Sequence, residues 1–406
     1  LTMLAAYRSC LSPQHSKYLL ISNLLGRLPN GMAPLAIALF LRSQGLGFGT
    51  VGAVTALYGL SMAVGGPLLG RAVDRFGQVR VLPVSAGISA VGFLALVGAG
   101  DGSVAAASAA AVLAGLFSPP LEPCLRTLWP SVLKDPRDIS AAYALDASLQ
   151  EVVFVAGPLL VVGLTSVADP SVALVVTTVA MLVGTLAYIV PEPVRHWRAE
   201  PRTPDWAGPL RSVRLRQLLV SLAFVGAGLG ALNIATVAYQ EHVGSDGLSG
   251  ILLGVNAAGA LIGGLYYGAR EWRADTSQRL TVLLLGMFLC NLPLVLVPHP
   301  IVVGVLVFCS GLFLAPALTC GFAIIGEVAP QGTVTEAFAW MVTAVLAGNA
   351  LGSSTAGTAE QQVGIWASFL VLVVAGAVAF ATAALFRRGR SGFGGPTALS
   401  GKQAAS

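Results

Sequence analysis

The sequence predicts an all-α membrane protein with twelve transmembrane helices in two pseudo-symmetric six-helix halves. Three observations carry this. Of the 406 residues, 55% are hydrophobic and 10% charged, with a mean hydropathy of +0.80. Soluble domains carry about 25% charged residues, so the chain lacks the charge to cover soluble surfaces of its length. The apolar residues form twelve runs of crossing length, and a crossing takes roughly 20 residues. The second six runs also repeat landmarks of the first six. The 48 Gly fit this class, because small residues let membrane helices approach closely.

In order, the first half reads as spans over 17–42, 48–70, 79–100, 103–127, 139–166 and 170–190. The second half reads as 214–240, 248–269, 279–298, 300–326, 334–357 and 362–386. Gly100-Asp101-Gly102, Ala168-Asp169-Pro170 and Pro298-His299-Pro300 are turns between antiparallel helices. Segments 1–16 and 387–406 flank the two halves, 17–190 and 214–386. The Gly-, Ser- and Ala-rich tail is expected to be disordered. The first sixteen residues have no basic region leading into a short apolar core and cleavage site, so the first span is expected to stay in the mature protein.

The longest polar interruption is 191–213, "PEPVRHWRAEPRTPDWAGPLRSV", a linker between halves. With both termini cytoplasmic, all of the 23 Lys and Arg except Arg27 and Arg42 fall on the inner side, as the positive-inside rule requires. A multi-pass protein of the cell membrane is expected. Its net charge of +5 is then explained by topology and anionic lipid, and no nucleic-acid partner is required. Cys10, Cys124, Cys290, Cys309 and Cys320 give no disulfide framework, and the four His are scattered without metal-ligand spacing. No cofactor or metal is expected, and the protein is expected to be a monomer.

The repeat is specific. "AGLFSPPLEPC" (114–124) aligns with "SGLFLAPALTC" (310–320). Ala142-Tyr143-Ala144 and Gly157 align with Ala337-Phe338-Ala339 and Gly352. Gly52, Gly65-Gly66 and Gly70 align with Gly250, Gly263-Gly264 and Gly268. These matches keep nearly one offset and one order. A duplicated six-helix unit places a path between its halves.

After the second span comes "GRAVDRFGQVR", with Gly70, Asp74, Arg75, Gly77 and Arg80 in a fixed spacing. Together with the repeat, the spans and the basic linker, this resembles the major facilitator superfamily over roughly 17–386. Gln78 and Val79 depart from that family's pattern, which has basic residues there. The resemblance implies alternating access by rocking of the halves. It also implies that this loop is a latch formed when the cytoplasmic side is shut.

Physically, Gly70 allows close approach and Gly77 a turn at positive φ. Asp74 suits the N-terminal end of another helix, where free N–H groups and the dipole favour an anion. The receiving helix is expected to begin near Thr333-Val334-Thr335-Glu336. Arg75 and Arg80 can pair with carboxylates across the interface. A positive-inside stop signal would explain the arginines but not the spacing. The second-half copy, "GAREWRADTSQR", keeps Gly268 but loses the Asp and the second Gly.

Charges within spans are costly, about 2.5–3.5 kcal/mol each at a helix centre. Arg27, Glu122, Arg126, Asp146 and Glu151 therefore call for a reason. Arg27 precedes Pro29-Asn30-Gly31 and reads as a cavity cation beside an unwound segment, or as a structural ion pair. Glu122 is one turn from Arg126 and, on the resembling fold, within reach of Arg27. Either pairing stays open. Asp146 and Gln150 share a helix face, while Glu151 is turned about 100° from Gln150. Glu151 is the preferred proton-carrying acid, with Glu122 and Asp146 as alternatives and Asp146 a partner for a motif Arg. In the second half, Asn233, Asn256, Asn349 and Trp340 are expected to line the path, with Glu336 near a helix start.

The function expected is proton-coupled export, by antiport, of a small amphiphilic or drug-like molecule. Uptake of a sugar, amino acid or other small metabolite is the alternative. No GxxxxGK[ST] motif is present, which argues against ATP drive in this chain. A membrane enzyme would need a nucleophile–base set that the scattered His and Cys do not supply. A receptor would be expected to carry a sizeable extramembrane domain.

Overall fold

The structure is a computed structural model that describes residues 3–99, 103–200, 207–297 and 299–391. The turn at Gly100-Asp101-Gly102, linker residues 201–206, Pro298 and the tail beyond Ser391 lie outside the described residues. Among those described, all regular structure is helical: α1 Met3–Cys10, α2 Ser16–Ser43, α3 Phe48–Phe76, α4 Gln78–Ala99, α5 Val104–Leu116, α6 Leu121–Val132, α7 Pro136–Val167, α8 Pro170–Tyr188 and α9 Glu192–His196. The second half follows with α10 Val213–Val243, α11 Leu248–Gly268, α12 Thr276–Asn291, α13 Pro300–Val328, α14 Val334–Val363 and α15 Ile365–Ser391. Counting α5 with α6, and α12 with the 3-10 turn Leu292–Leu296 that follows it, as single crossings, twelve helical segments among the described residues are long and apolar enough to span a membrane.

The helix ends follow local chemistry. Asp135 and Asp169 accept backbone N–H groups from Arg137 and Ser171, each with Pro in the first turn. Proline costs nothing there, because that N–H has no intrahelical partner. Gly77 ends α3 at φ +86°, a conformation side chains with a Cβ resist.

Two expectations about breaks are corrected. α2 runs unbroken through Pro29 and Pro34, so no unwound segment follows Arg27. Gly31 instead serves close packing: a Cβ there would run into the Val153 carbonyl of α7. The break lies in the fourth span, where α5 stops at Leu116 and α6 resumes at Leu121. Successive prolines at 119 and 120 each remove a helical donor.

The repeat is repeated as contacts. A Cβ at Gly65 would hit the Leu116 carbonyl, and one at Gly263 would hit the Leu312 carbonyl. Gly66 faces Thr343 and Gly264 faces Ser148, across the two seams between halves. Gly70 meets Ala339 and Gly268 meets Ala144. Each pair consists of residues aligned by the sequence repeat. One seam joins α3 to α14 and the other joins α7 to α11.

The apolar core shows how the halves meet. One cluster draws on both halves, including Leu125, Tyr143, Ile324 and Phe338. It lies towards the end that carries the basic loops. At the opposite end the core divides, with Phe40, Val54 and Phe93 in one cluster and Tyr239, Leu252 and Phe369 in another. On the seam faces of α3 and α11, Cβ atoms at Gly52, Gly59, Gly250 and Gly254 would meet nothing within 4 Å. The halves are therefore joined at the basic end and parted at the other.

α1 crosses the α7/α11 seam at the basic end. The Tyr7 hydroxyl donates to the Leu265 carbonyl at 2.7 Å, and Ser9 donates to Asp138 at 3.1 Å. Burial pushes the Cys10 thiol up to about 12, so it stays protonated.

Candidate transport site and its closed end

At the basic end, Asp74 accepts hydrogen bonds from the backbone N–H groups of Thr335 and Glu336, at 3.2 and 2.9 Å. These N–H groups belong to the first turn of α14, where no intrahelical carbonyl is available. Gly70 lets α3 come this close, since a Cβ there would sit 3.0 Å from the Glu336 Cα. Arg71 grips the buried Glu336 carboxylate in two-pronged fashion, Nε to Oε2 at 3.0 Å and a terminal nitrogen to Oε1 at 2.6 Å. Gly208, from the linker, lies over this pair at φ +52°. A Cβ there would be 2.8 Å from Glu336 Oε1 and 2.9 Å from an Arg71 nitrogen.

Further in, a cleft of about 540 Å³, open solvent included, lies between α2, α3, the α5–α6 break and α14. Arg27, Asn30, Ser118 and Glu122 give it polar atoms, and Met62, Ala63, Val342 and Leu346 give it an apolar wall. Behind it is a buried ionic quartet. Asp146 accepts from Arg27 and, at 2.8 Å, from Arg126 Nε. Glu122 pairs with Arg126 and lies 3.7 Å from Arg27. Gln150 accepts from Arg27, and Asn23 lies 3.4 Å from it. The Arg126 guanidinium stacks 3.5 Å over the ring of Phe322, from the other half. Two positive and two negative groups thus close on one another. Unpaired, each would be strongly disfavoured in an apolar interior.

The family model of the Major Facilitator Superfamily matches residues 19–312. The chain belongs to the Major Facilitator Superfamily. The solved structures share the fold. A bacterial homologue of the iron transporter ferroportin, in its outward-facing state, superposes with TM-score 0.76 at 14% identity, covering 92% of this chain and 99% of that one. The Escherichia coli fucose:proton symporter gives 0.71 at 11%, covering 91% and 97%. The human organic anion transporter MFSD10 gives 0.67 at 16%, covering 94% and 98%. No curated protein matches the sequence. The superfamily consists of transporters, so this multi-pass membrane protein is a transporter and not an enzyme.

Within the superfamily fold, the residues singled out by sequence divide. Arg27, Asn30 and Glu122 line the cleft, and Arg126, Asp146 and Gln150 form the layer behind. Asp146 pairs with Arg27 and Arg126, correcting its expected pairing with a motif arginine. Arg75 and Arg80 were expected to bridge the halves. Both are exposed and make no ion pair among the described residues. Arg71 makes the bridge instead, because Arg71 and Asp74, three apart, share one face of α3 while Arg75 is turned about 100° from Asp74.

Gln78, where the family pattern has a basic residue, is fully buried. It donates to the Cys124 carbonyl at 3.2 Å and accepts from Tyr188 at 3.1 Å. A charge there would be closed off from solvent, where an uncompensated charge is costly. Glu151 is half-buried, off the cleft, and makes no hydrogen bond or ion pair among the described residues. It lies one turn along α7 from Ser148, which faces α11. Asn233 is exposed, Asn256 donates to the Val307 carbonyl at 2.9 Å, Asn349 packs its backbone against Gly230, and Trp340 packs on the shared core. None of the four lines this cleft. Sequence reasoning missed Arg71, Tyr7 and Phe322. Only Arg71 left a signal, in its helical phase with Asp74.

Proposed function

We propose that the chain is a proton-coupled secondary transporter of the cell membrane, with both termini cytoplasmic, that moves a small amphiphilic molecule by alternating access. The single observation that carries this is the cleft: an exchangeable carboxylate, Glu122, faces an apolar wall between two halves that touch at one end only. The Asp74–α14 and Arg71–Glu336 contacts are then the latch of the cytoplasm-closed state. In this state the parted end admits or releases the solute, and the latch gives way when the halves close at that end.

Among the three acids, Glu122 is the best-placed proton carrier. It is the one on the cleft, and 13% of its side chain is exposed. Asp146 is wholly enclosed by two arginines. Glu151 is the runner-up, being unpaired but away from the cleft.

Outward movement is supported by the poverty of polar groups on α3 and α14, which offers a sugar or amino acid little to bond. Inward movement with a proton is the second reading. The observation favouring it is that every charge in the quartet is already paired, so a proton and a solute do not compete for a vacant group.

In proteoliposomes with an imposed pH gradient, wild type is expected to drive a solute against its gradient. Glu122→Gln is expected to lose that accumulation. Accumulation retained in Glu122→Gln but lost in Glu151→Gln would move the coupling role to the α7/α11 seam. Accumulation indifferent to both would sink the coupling mechanism.

A further inference from the structure

We infer that the solute carries one fixed acid group on an apolar body, and that this group takes the place of Glu122 on Arg126 and Arg27 as Glu122 takes up a proton. The inference rests on the reading of the cleft as the transport site, and names the class of solute that site accepts.

The quartet is graded in depth. Asp146 has no exposure and is held by both guanidinium groups. Glu122 is the outer member. One of its oxygens meets Arg126, and the other lies 3.7 Å from Arg27. The Glu122 carboxylate therefore occupies the cleft-facing side of two arginines that are themselves almost wholly buried. The Nε of Arg27 is buried and has no hydrogen-bond partner among the described residues, which leaves a donor unspent at the site. A planar or tetrahedral acid group matches such donors, since guanidinium forks bind oxyanions in pairs.

The charge sum selects the class. Arg27 and Arg126 against Asp146 and Glu122 sum to zero. A cation entering the cleft leaves the site with one excess positive charge, unless a carboxylate abandons an arginine. A proton on a Glu122 oxygen also leaves one excess positive charge, and a monoanion cancels it. Proton and anion therefore bind together. One O–H bond forms on Glu122, its contacts with Arg126 and Arg27 pass to the solute's oxygens, and no net charge is added. A buried site favours that outcome, because an uncompensated charge costs several kcal/mol.

The groups facing Glu122 are Arg126 on its own helix, Arg27 on α2, and Asp146 of α7 behind both. From α3 come Met62, Ala63 and Gly66, and from α14 Ala339, Val342, Thr343 and Leu346, with no ionisable side chain. The Thr343 hydroxyl is spent on the Ala63 carbonyl at 2.7 Å. The body of the solute thus rests on an apolar surface, and solute and proton move in the same direction, which selects inward movement with a proton over the outward reading.

The test uses three probes matched in shape and fixed in charge: phenylmethanesulfonate, benzyltrimethylammonium and benzyl alcohol. Binding to the purified full chain is measured by calorimetry in two buffers of different ionisation enthalpy. The sulfonate is expected to bind at least about tenfold more tightly than either other probe, with uptake of about one proton per molecule. Glu122→Gln, which keeps both arginines, is expected to bind the sulfonate without proton uptake. Arg126→Gln is expected to weaken it by about tenfold or more.

Tightest binding of the ammonium or the alcohol overturns the inference, as does sulfonate binding by wild type without proton uptake. If the sulfonate does not bind while gradient-driven flux of some solute persists in proteoliposomes, the anion class fails and the transport reading stands. If no solute shows such flux, the transport reading itself fails.

Discussion

Replacing Asp146 by alanine lowers the stability of the protein by about 3–5 kcal/mol, the cost of breaking a buried ion pair from one side. Asp146 accepts from both Arg27 and Arg126 and has no exposure to solvent. Without it, two guanidinium groups share one carboxylate, Glu122, and one positive charge is left uncompensated between α2, α6 and α7. Glu122→Gln is expected to cost less, because Glu122 is partly exposed and glutamine keeps an acceptor. The order of melting temperatures is the check: wild type, then Glu122→Gln, then Asp146→Ala. Adding Arg126→Gln to Asp146→Ala restores the charge balance. The pair should couple by about 0.5–3 kcal/mol in a double-mutant cycle, as expected for residues in contact. Equal costs for Asp146→Ala and Glu122→Gln, with additive double mutants, would mean that the quartet is not a charge-balanced unit.

Asp74→Ala is the second large effect, and it falls on the balance between states more than on the fold. Asp74 supplies the acceptor for two N–H groups at the start of α14. A hydrogen bond to a charged group is worth about 1.5–3 kcal/mol. Because these bonds join the two halves, their loss moves the closed-to-open equilibrium at the basic end by roughly 10- to 150-fold. The reporter is a cysteine at Thr127, whose hydroxyl lies 3.3 Å from that of Thr335 across the closed seam. In a background lacking the native cysteines, an impermeant thiol reagent added from the basic side should label this position much faster in Asp74→Ala. Unchanged labelling would show that the Asp74 contact does not hold the seam. Arg71→Gln should act in the same direction, since it removes the ion pair that joins α3 to the buried Glu336 of α14.

The spans were legible in the sequence because a membrane helix must satisfy its backbone internally over a fixed thickness. That rule sets their number and approximate position. It does not set their ends. α3 continues past the apolar run through Arg71, Asp74 and Arg75, because charge does not stop a helix, and it ends where Gly77 turns. The break between α5 and α6 was hidden because proline counts neither as charge nor as polarity in an apolar run. The repeat was legible to the level of single contacts, since glycine marks places where backbones touch. Asp74 and the first turn of α14 could be matched because a helix start offers N–H groups and a carboxylate answers them.

The quartet was only half legible. The cost of burial singles out Arg27, Glu122, Arg126 and Asp146, and the i,i+4 spacing suggests the Glu122–Arg126 contact. The Arg27–Asp146 contact joins residues 119 apart in sequence and depends on how α2 packs on α7, which no local spacing reports. The asparagines of the second half illustrate the converse. Their polarity drew attention, but Asn256 spends its amide on a neighbouring helix carbonyl.

The most direct test of the account is a pair of distances measured across the α3/α14 seam in one sample. Spin labels at Arg75 and Gln331 report the basic end, and labels at Phe48 and Gln361 report the opposite end; all four side chains are exposed. In lipid, as solute and acid are added, the first distance should gain a longer population while the second gains a shorter one, in matching proportion. Distances that stay fixed at both ends, or that lengthen together, would contradict alternating access around this cleft.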